Sequence, residues 1–321
     1  MSNRRSFIKN ASLLTLGGLV VGGCQGKGAP AGAKDAAKGP KSFGLQIYSL
    51  FGELYAGDVA TNLKKIGDMG YSYIELAGYG DRKVSGIDML EFKKMTNDAG
   101  LKIVSSHVNP PAREYTKENF DMIADFWKKT AEAHAELGVK YLIQPGQPAT
   151  RDVEETQYVG EVFNKAGEIC NAAGIKFGYH NHSGEFARVV PKGEQQMVEG
   201  KEGRRVRNPN TKVVYDIFME NTDPALVLYE LDVYWAVMGQ NDPVEYMKRY
   251  ANRIRVLHIK DRAVLGESGM MNFQKIFETA YANGINDFFV ELEGVPGESS
   301  TKQFDSVKGC ADYLINAPFV K

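Results

Sequence analysis

The chain has 321 residues, 43% of them hydrophobic and 25% charged, with 34 glycines and 12 prolines. That is the composition of a globular protein, and it excludes a disordered, fibrous or polytopic membrane chain. The 39 basic and 40 acidic residues leave a net charge of -1, so no basic field gathers nucleic acid, and three cysteines cannot build a disulfide framework.

The N-terminus carries Arg4-Arg5-Ser6-Phe7-Ile8-Lys9, then an apolar stretch from Ala11 to Gly23, then Cys24. A charged start before a short apolar core reads as a secretory signal, too short to span a bilayer as a mature helix. The arginine pair resembles the twin-arginine export motif, and Val21-Gly22-Gly23-Cys24 resembles a bacterial lipobox. Residues 1–24 are therefore expected to direct the protein to the cell envelope or periplasm, held by a lipid on Cys24 and by no other membrane contact. Residues 25–41 are Gly, Ala, Lys and Pro without periodicity and read as a flexible tether, which leaves 42–321 as the folded part. Cys170 and Cys310 lie in helix-like surroundings and are expected to be buried free thiols.

Strand-like runs recur at Phe43–Ser49, Tyr71–Ala77, Leu101–His107, Lys140–Gln144, Ile175–Asn181, Val227–Val233, Ile254–Ile259 and Asp287–Glu293. Each is short and rich in β-branched, aromatic or Leu residues, as a buried parallel strand is. Helical patterns separate them at Val59–Met69, Met89–Ala99, Lys117–Leu137, Glu154–Ala173, Pro243–Ala251, Phe273–Asn283 and Gln303–Ile315. A glycine ends the helix and the next strand follows directly at Gly70, Gly100, Gly138, Gly174 and Gly284. Eight strands alternating with helices predict a single (β/α)8 TIM barrel; a doubly wound sheet would carry a Gly-rich turn after its first strand, where Gln46-Ile47-Tyr48-Ser49-Leu50 stands instead.

One segment, from Arg188 to Thr211, breaks the rhythm on the catalytic side of the barrel. It reads either as a surface excursion or as a lid bringing Arg204, Arg205 and Arg207 to a ligand. The strand ends supply Glu75, His107, His180 with His182 and Glu185, Asp232, His258 with Lys260, and Glu291 with Glu293. Four of the five histidines sit there, and only His134 lies in a helix. Residues two apart on a strand share a face, so His180 with His182, His258 with Lys260 and Glu291 with Glu293 can point into one cavity. Mixed nitrogen and oxygen ligands suit manganese, zinc, cobalt or iron(II) and not a calcium cage.

The passages Gly178-Tyr179-His180-Asn181-His182 with Glu185-Phe186, Glu230-Leu231-Asp232-Val233-Tyr234-Trp235, Leu257-His258-Ile259-Lys260-Asp261 and Val290-Glu291-Leu292-Glu293 occur in this order. Together they resemble the xylose isomerase-like barrels of the sugar phosphate isomerase/epimerase superfamily, over nearly the whole chain from Ser42. The resemblance implies one divalent ion held by His180, Asp232, His258 and Glu291. It implies catalytic or proton-carrying roles for His182, Glu185, Lys260 and Glu293, and substrate contacts for Glu75, His107 and Trp235. The chain departs at His180, where many relatives carry Glu in a Glu-Asn-His sequence; whether His180 or His182 is the ligand stays open.

Such a site abstracts a proton next to a carbonyl, giving an enediolate. The expected activity is a metal-dependent sugar isomerase or epimerase, with a keto-glycoside lyase or a non-catalytic sugar-binding lipoprotein as alternatives. Export favours an unphosphorylated sugar or glycoside. A phosphodiesterase of the apurinic-site endonuclease type is disfavoured by the charge balance. Assembly into a homo-oligomer is left open.

Overall fold

The computed structural model describes residues 41–293 and 303–321. The expected export signal and lipobox fall outside these residues, as does all of the expected tether except Lys41. Eight parallel strands close a barrel: β1 Gly44–Gln46, β2 Tyr73–Leu76, β3 Lys102–His107, β4 Tyr141–Gln144, β5 Lys176–His180, β6 Val227–Asp232, β7 Ile254–Ile259 and β8 Asp287–Val290. Each pairs with its neighbours in sequence, and β1 closes the ring on β8. All eight lie inside the expected segments.

Outside the ring run α1 Val59–Asp68, α2 Met89–Asp98, α3 Phe120–Leu137, α4 Val153–Ala172, α5 Val214–Glu220, α6 Val233–Met238, α7 Pro243–Arg249, α8 Phe273–Ala282 and α9 Gln303–Asn316. The starts of α1, α2, α4 and α7 are capped by Asp58, Asp88, Asp152 and Asp242, whose carboxylates accept backbone N–H groups of the first turn. Gly70, Gly100, Gly138, Gly174 and Gly284 all adopt positive φ, which is why glycine recurs between helix and strand. The helices α5 and α6 were not expected; each starts directly from a strand with no proline start signal, unlike the equally short α7, which begins at Pro243.

The expected first and last strands stop early. After Gln46 the chain turns into a 3-10 helix over Ile47–Leu50, with the Tyr48 N–H donating to Gln46 Oε1 at 2.9 Å. After Val290, Glu291 leaves the regular ladder although its N–H still donates to Ile259 O at 3.3 Å. Residues 188–213 form two small antiparallel ribbons, Arg188–Val189 with Lys212–Val213 and Met197–Glu199 with Arg205–Arg207. Arg204, Arg205 and Arg207 are exposed there, Arg204 beside Glu202 at 3.0 Å.

The strand period of two stacks the barrel interior in layers. Tyr73, Tyr141, Ile143, Val256 and Phe289 fill the N-terminal end as a separate apolar cluster. Gly44 and Gly178 make room for it: a Cβ at Gly44 would lie 2.3 Å from the Tyr73 ring, and one at Gly178 2.6 Å from Ile143 Cδ1. Two residues further along the strands, Glu75 stands above Tyr73 and His258 above Val256, and the interior becomes polar.

Candidate metal centre and active-site cavity

Strand register explains which polar residues meet. Glu75 pairs with Gln46 on one side and Ser105 on the other, His180 with Glu230, and Asp232 with His258. The ladders shift register between Ile74 and Glu75 and between Tyr229 and Glu230, so an irregularity re-aims each of these glutamates.

At the C-terminal end, His180, Asp232, His258 and Glu291 each offer one ligand atom, and these atoms lie within 4.8 Å of one another. All four residues are buried. Asp232 is divided in its duties: Oδ1 accepts the Trp235 N–H at 2.8 Å and caps α6, while buried Oδ2 has no hydrogen-bond partner. His180 Nδ1 is likewise buried without one. His258 points Nδ1 at Glu291 Oε2, 3.2 Å away, and Nε2 at Glu75 Oε2, 2.6 Å away. Two imidazoles and two carboxylates, with a carboxylate oxygen and a ring nitrogen left unpartnered, fit a divalent cation.

Lys260 stands beside this set, nearly fully buried, with Nζ 2.6 Å from Glu293 Oε1, 3.1 Å from Glu291 Oε2 and 3.8 Å from Asp232 Oδ2. It also lies 4.9 Å above the Trp235 ring, whose Nε1 donates to Glu293 Oε1 at 3.3 Å. Burial opposes charge on Lys260, but Glu291, Asp232 and Glu293 outweigh it and raise its pKa. Burial likewise opposes ionisation of Glu291, yet Lys260 and His258 hold that carboxyl well below the usual range. Asp232 goes the other way: burial pushes it up to about 7, with Lys260 pulling against it. Burial holds both His180 and His182 below the ordinary imidazole value, whereas Glu230, Glu291 and Glu75 overcome burial at His258 and raise it well above.

A cavity of about 360 Å³ opens over this floor, lined among others by Tyr48, His107, Asn109, His182, Glu291 and Glu293. His182 lies just past β5, its ring 5.0 Å from that of His180 and 5.9 Å from that of Trp235. Glu185 faces inward: it accepts the Tyr179 hydroxyl at 2.5 Å and the His182 N–H at 3.0 Å, and so fixes the loop that carries His182. Glu75 is buried beneath the cavity and accepts from Gln46 Nε2 at 2.9 Å and Ser105 Oγ at 2.6 Å. His107 reaches both the cavity and this lower layer, at 2.8 Å from Glu230 Oε2. Arg204, Arg205 and Arg207 are not among the residues lining the cavity.

Sequence reasoning passed over Glu230, which is fully buried among the imidazoles. A signal was present: it stands two residues before Asp232 and so shares its strand face.

A closed parallel barrel thus brings two imidazoles and two carboxylates from its fifth to eighth strands and their ends to one point, a group that could hold a metal ion. The chain belongs to the xylose isomerase-like TIM barrel family, which its residues 63–305 match. Two crystal structures from Parabacteroides distasonis, each described as a sugar phosphate isomerase/epimerase, are similar over almost their whole length. One is 53% identical with a TM-score of 0.80, covering 88% of this chain and 100% of that one; the other is 46% identical with a TM-score of 0.81, covering 90% and 98%. An L-ribulose 3-epimerase shares the fold at 17% identity, with a TM-score of 0.63 over 85% of this chain and 92% of that one. Among curated proteins, the inosose dehydratase of Geobacillus kaustophilus is 24% identical over 215 residues, 62% of this chain and 60% of the relative. The match therefore spans about three-fifths of that relative's length.

Proposed function

We propose that the protein is a divalent-metal-dependent sugar isomerase or epimerase that works through an enediolate on an unphosphorylated keto-sugar. The observation that carries this reading is the meeting of His180, Asp232, His258 and Glu291 within 4.8 Å beneath a cavity lined by His180, His182, Glu291 and Glu293, with Lys260 paired to both glutamates. These four residues would hold one ion (manganese, zinc, cobalt or iron(II)), and such an ion supplies Lewis acidity to the oxygens of a bound keto-sugar.

The chain's own residues divide the remaining work. His182, kept neutral by burial, is a base on the cavity wall that can take the proton from the carbon beside the carbonyl. Glu293, also on that wall, is the second proton carrier. Lys260 stays charged and offsets negative charge growing on the substrate oxygen. Glu185 holds His182 in place, Glu75 orients His258 from beneath, and His107 and Trp235 border the sugar. An unphosphorylated substrate is supported by the cavity lining, which carries Glu291 and Glu293, and by Lys260 being already paired with both.

A second reading, β-elimination by a keto-glycoside lyase, is favoured by His180 standing where a two-carboxylate relay would place a glutamate. The names of the curated relatives, dehydratases, point the same way. Incubating the metal-loaded protein with free sugars, glycosides and their 3-keto forms, read by mass spectrometry and NMR, separates the readings. A new isomer of unchanged mass supports the first, and loss of water or aglycone the second. No turnover together with no bound ion would leave a sugar-binding lipoprotein.

We further propose that Arg4-Arg5 and Cys24 export and anchor the chain in the cell envelope. Arg4→Lys with Arg5→Lys should retain precursor in the cytoplasm, and Cys24→Ser should release protein from membranes; unchanged localisation in both variants would refute this.

A further inference from the structure

A second group of metal-type ligands lies one layer deeper. His107, His180, Glu230 and His258 each offer a ligand atom, and these atoms are again within 4.8 Å of one another. Three imidazole nitrogens surround a single oxygen, Glu230 Oε2: His107 Nε2 at 2.8 Å, and His180 Nδ1 and His258 Nε2 both at 3.2 Å. The His107 contact is a hydrogen bond, but hydrogen bonding does not account for the other two. His258 Nε2 is already engaged by Glu75 at 2.6 Å, and His180 Nδ1 is close to Glu230 yet out of line for a hydrogen bond. The other Glu230 oxygen, Oε1, is buried without a hydrogen-bond partner. Unpartnered polar atoms are rare in a packed interior, and here two of them belong to one four-residue set.

We propose that His107, His180, Glu230 and His258 form a second cation position beneath the one assigned above, and that it selects a different class of metal. The proposal rests on the single-ion reading only in that the two positions share His180 and His258. What they do not share sets their preference. The upper position adds two carboxylates, Asp232 and Glu291, and suits a harder ion such as manganese. The lower one adds an imidazole and one carboxylate, a nitrogen-rich set that suits zinc, nickel or copper. His258 can serve either position, because it turns Nδ1 to Glu291 and Nε2 to the lower group. Glu75, satisfied by Gln46, Ser105 and His258, orients the shared ring and needs no ion of its own.

The test uses the whole protein and two metals. Crystals soaked in zinc, with anomalous data at the zinc edge, should show zinc against His107 and Glu230. In solution, His107→Gln and the near-isosteric Glu230→Gln should each lower zinc affinity at least about tenfold while changing manganese affinity by less than about threefold. Zinc found only against Asp232 and Glu291, with an affinity indifferent to Glu230→Gln, would overturn the second position and leave the first standing. Zinc and manganese at neither position would end both. If both variants fail to fold, the anomalous map of the unaltered protein decides alone.

Discussion

His134 and His180 are the same residue in equal burial, and they do opposite things. His134 sits on α3, packed against the barrel, with Nδ1 2.8 Å from Thr130 O and Nε2 3.0 Å from Ser106 Oγ; its ring meets Tyr79 at 4.2 Å. Both nitrogens are satisfied, so the residue is part of the packing. His180 sits inside the barrel and is equally buried, yet its Nδ1 has no hydrogen-bond partner, and it faces three more imidazoles and the Glu230 carboxylate. Burial alone therefore does not mark a site. An unsatisfied group facing other ligand-type side chains does, because a folded chain otherwise pairs most of its buried polar atoms.

The largest expected effect tests the barrel side of this comparison. Asp232→Asn keeps the Oδ1 acceptor that caps α6 but removes the charge on the oxygen that has no partner. Metal affinity should fall by about a thousandfold, beyond the roughly ten- to hundredfold lost when a residue that only orients a ligand is changed. Turnover should go with it. The metal-free variant should be no less stable than the parent, since burial already pushes the Asp232 carboxyl up to about 7 and its ionisation is a strain on the fold. Isothermal titration with manganese and thermal unfolding under chelation measure the two halves. A variant that binds manganese as well as the parent would show that the unpartnered oxygen is not a ligand.

The helix side is tested by acid. Burial pushes His134 down to about 4, from an ordinary value near 6.5. The folded protein therefore holds this imidazole neutral where the unfolded chain would bind a proton. Its contribution to stability is complete above about pH 6.5 and is lost as pH falls toward 4. At about 1.4 kcal/mol per unit, the loss across that window is about 3 kcal/mol. Carboxylates titrate in the same range, so the measurement is a difference: urea unfolding of the parent and of His134→Gln at several pH values between 4 and 7. The variant should start less stable by about 2 kcal/mol, from the disturbed Thr130 and Ser106 contacts, and should lose less as the pH drops. Parallel curves would mean that His134 does not titrate in this way. Metal affinity should stay unchanged in the variant.

The barrel was legible because its periodicity is carried by many residues at once: every strand is a short apolar run, and a glycine with positive φ precedes five of them. The convergence of His180, Asp232, His258 and Glu291 was legible for a different reason, since ionisable residues at the ends of buried strands have nowhere else to point. Glu230 was missed because it sits in the middle of the run Val227 to Val233, whereas Asp232 stands at the strand's C-terminal end, where site residues are looked for. Only the three-dimensional neighbours, His107, His180 and His258, reveal what it faces. Glu185 was read as a catalytic or proton-carrying residue; its inward turn toward Tyr179 and the His182 backbone depends on the 3-10 turn over Gly184–Phe186, which spacing does not predict. The helix α6 was hidden because Asp232 serves both as a ligand candidate and as its cap, and a site residue at a helix start reads as chemistry first.

The smallest predicted effect lies at the rim, where the contrast between satisfied and unsatisfied groups fades. Trp235 is half-buried, its N–H donates to Glu293 over a long 3.3 Å, and its ring lies 4.9 Å beneath the Lys260 ammonium. Trp235→Phe keeps an aromatic face and removes the N–H. The cation–π contact weakens from Trp to Phe, by about 0.5 kcal/mol, and the hydrogen bond to an accessible carboxylate contributes about as much. Together these should lower kcat/KM about two- to fivefold. The loss should appear in KM, because Trp235 packs against His182 and Lys260 and touches none of the four candidate ligand side chains except through its backbone N–H to Asp232, which the substitution preserves. Manganese affinity should therefore stay within about twofold of the parent. Steady-state kinetics and metal titration on the same preparation give both numbers. A fall in metal affinity larger than the fall in kcat/KM would place Trp235 with the ligand-orienting residues and not on the wall of the sugar cavity.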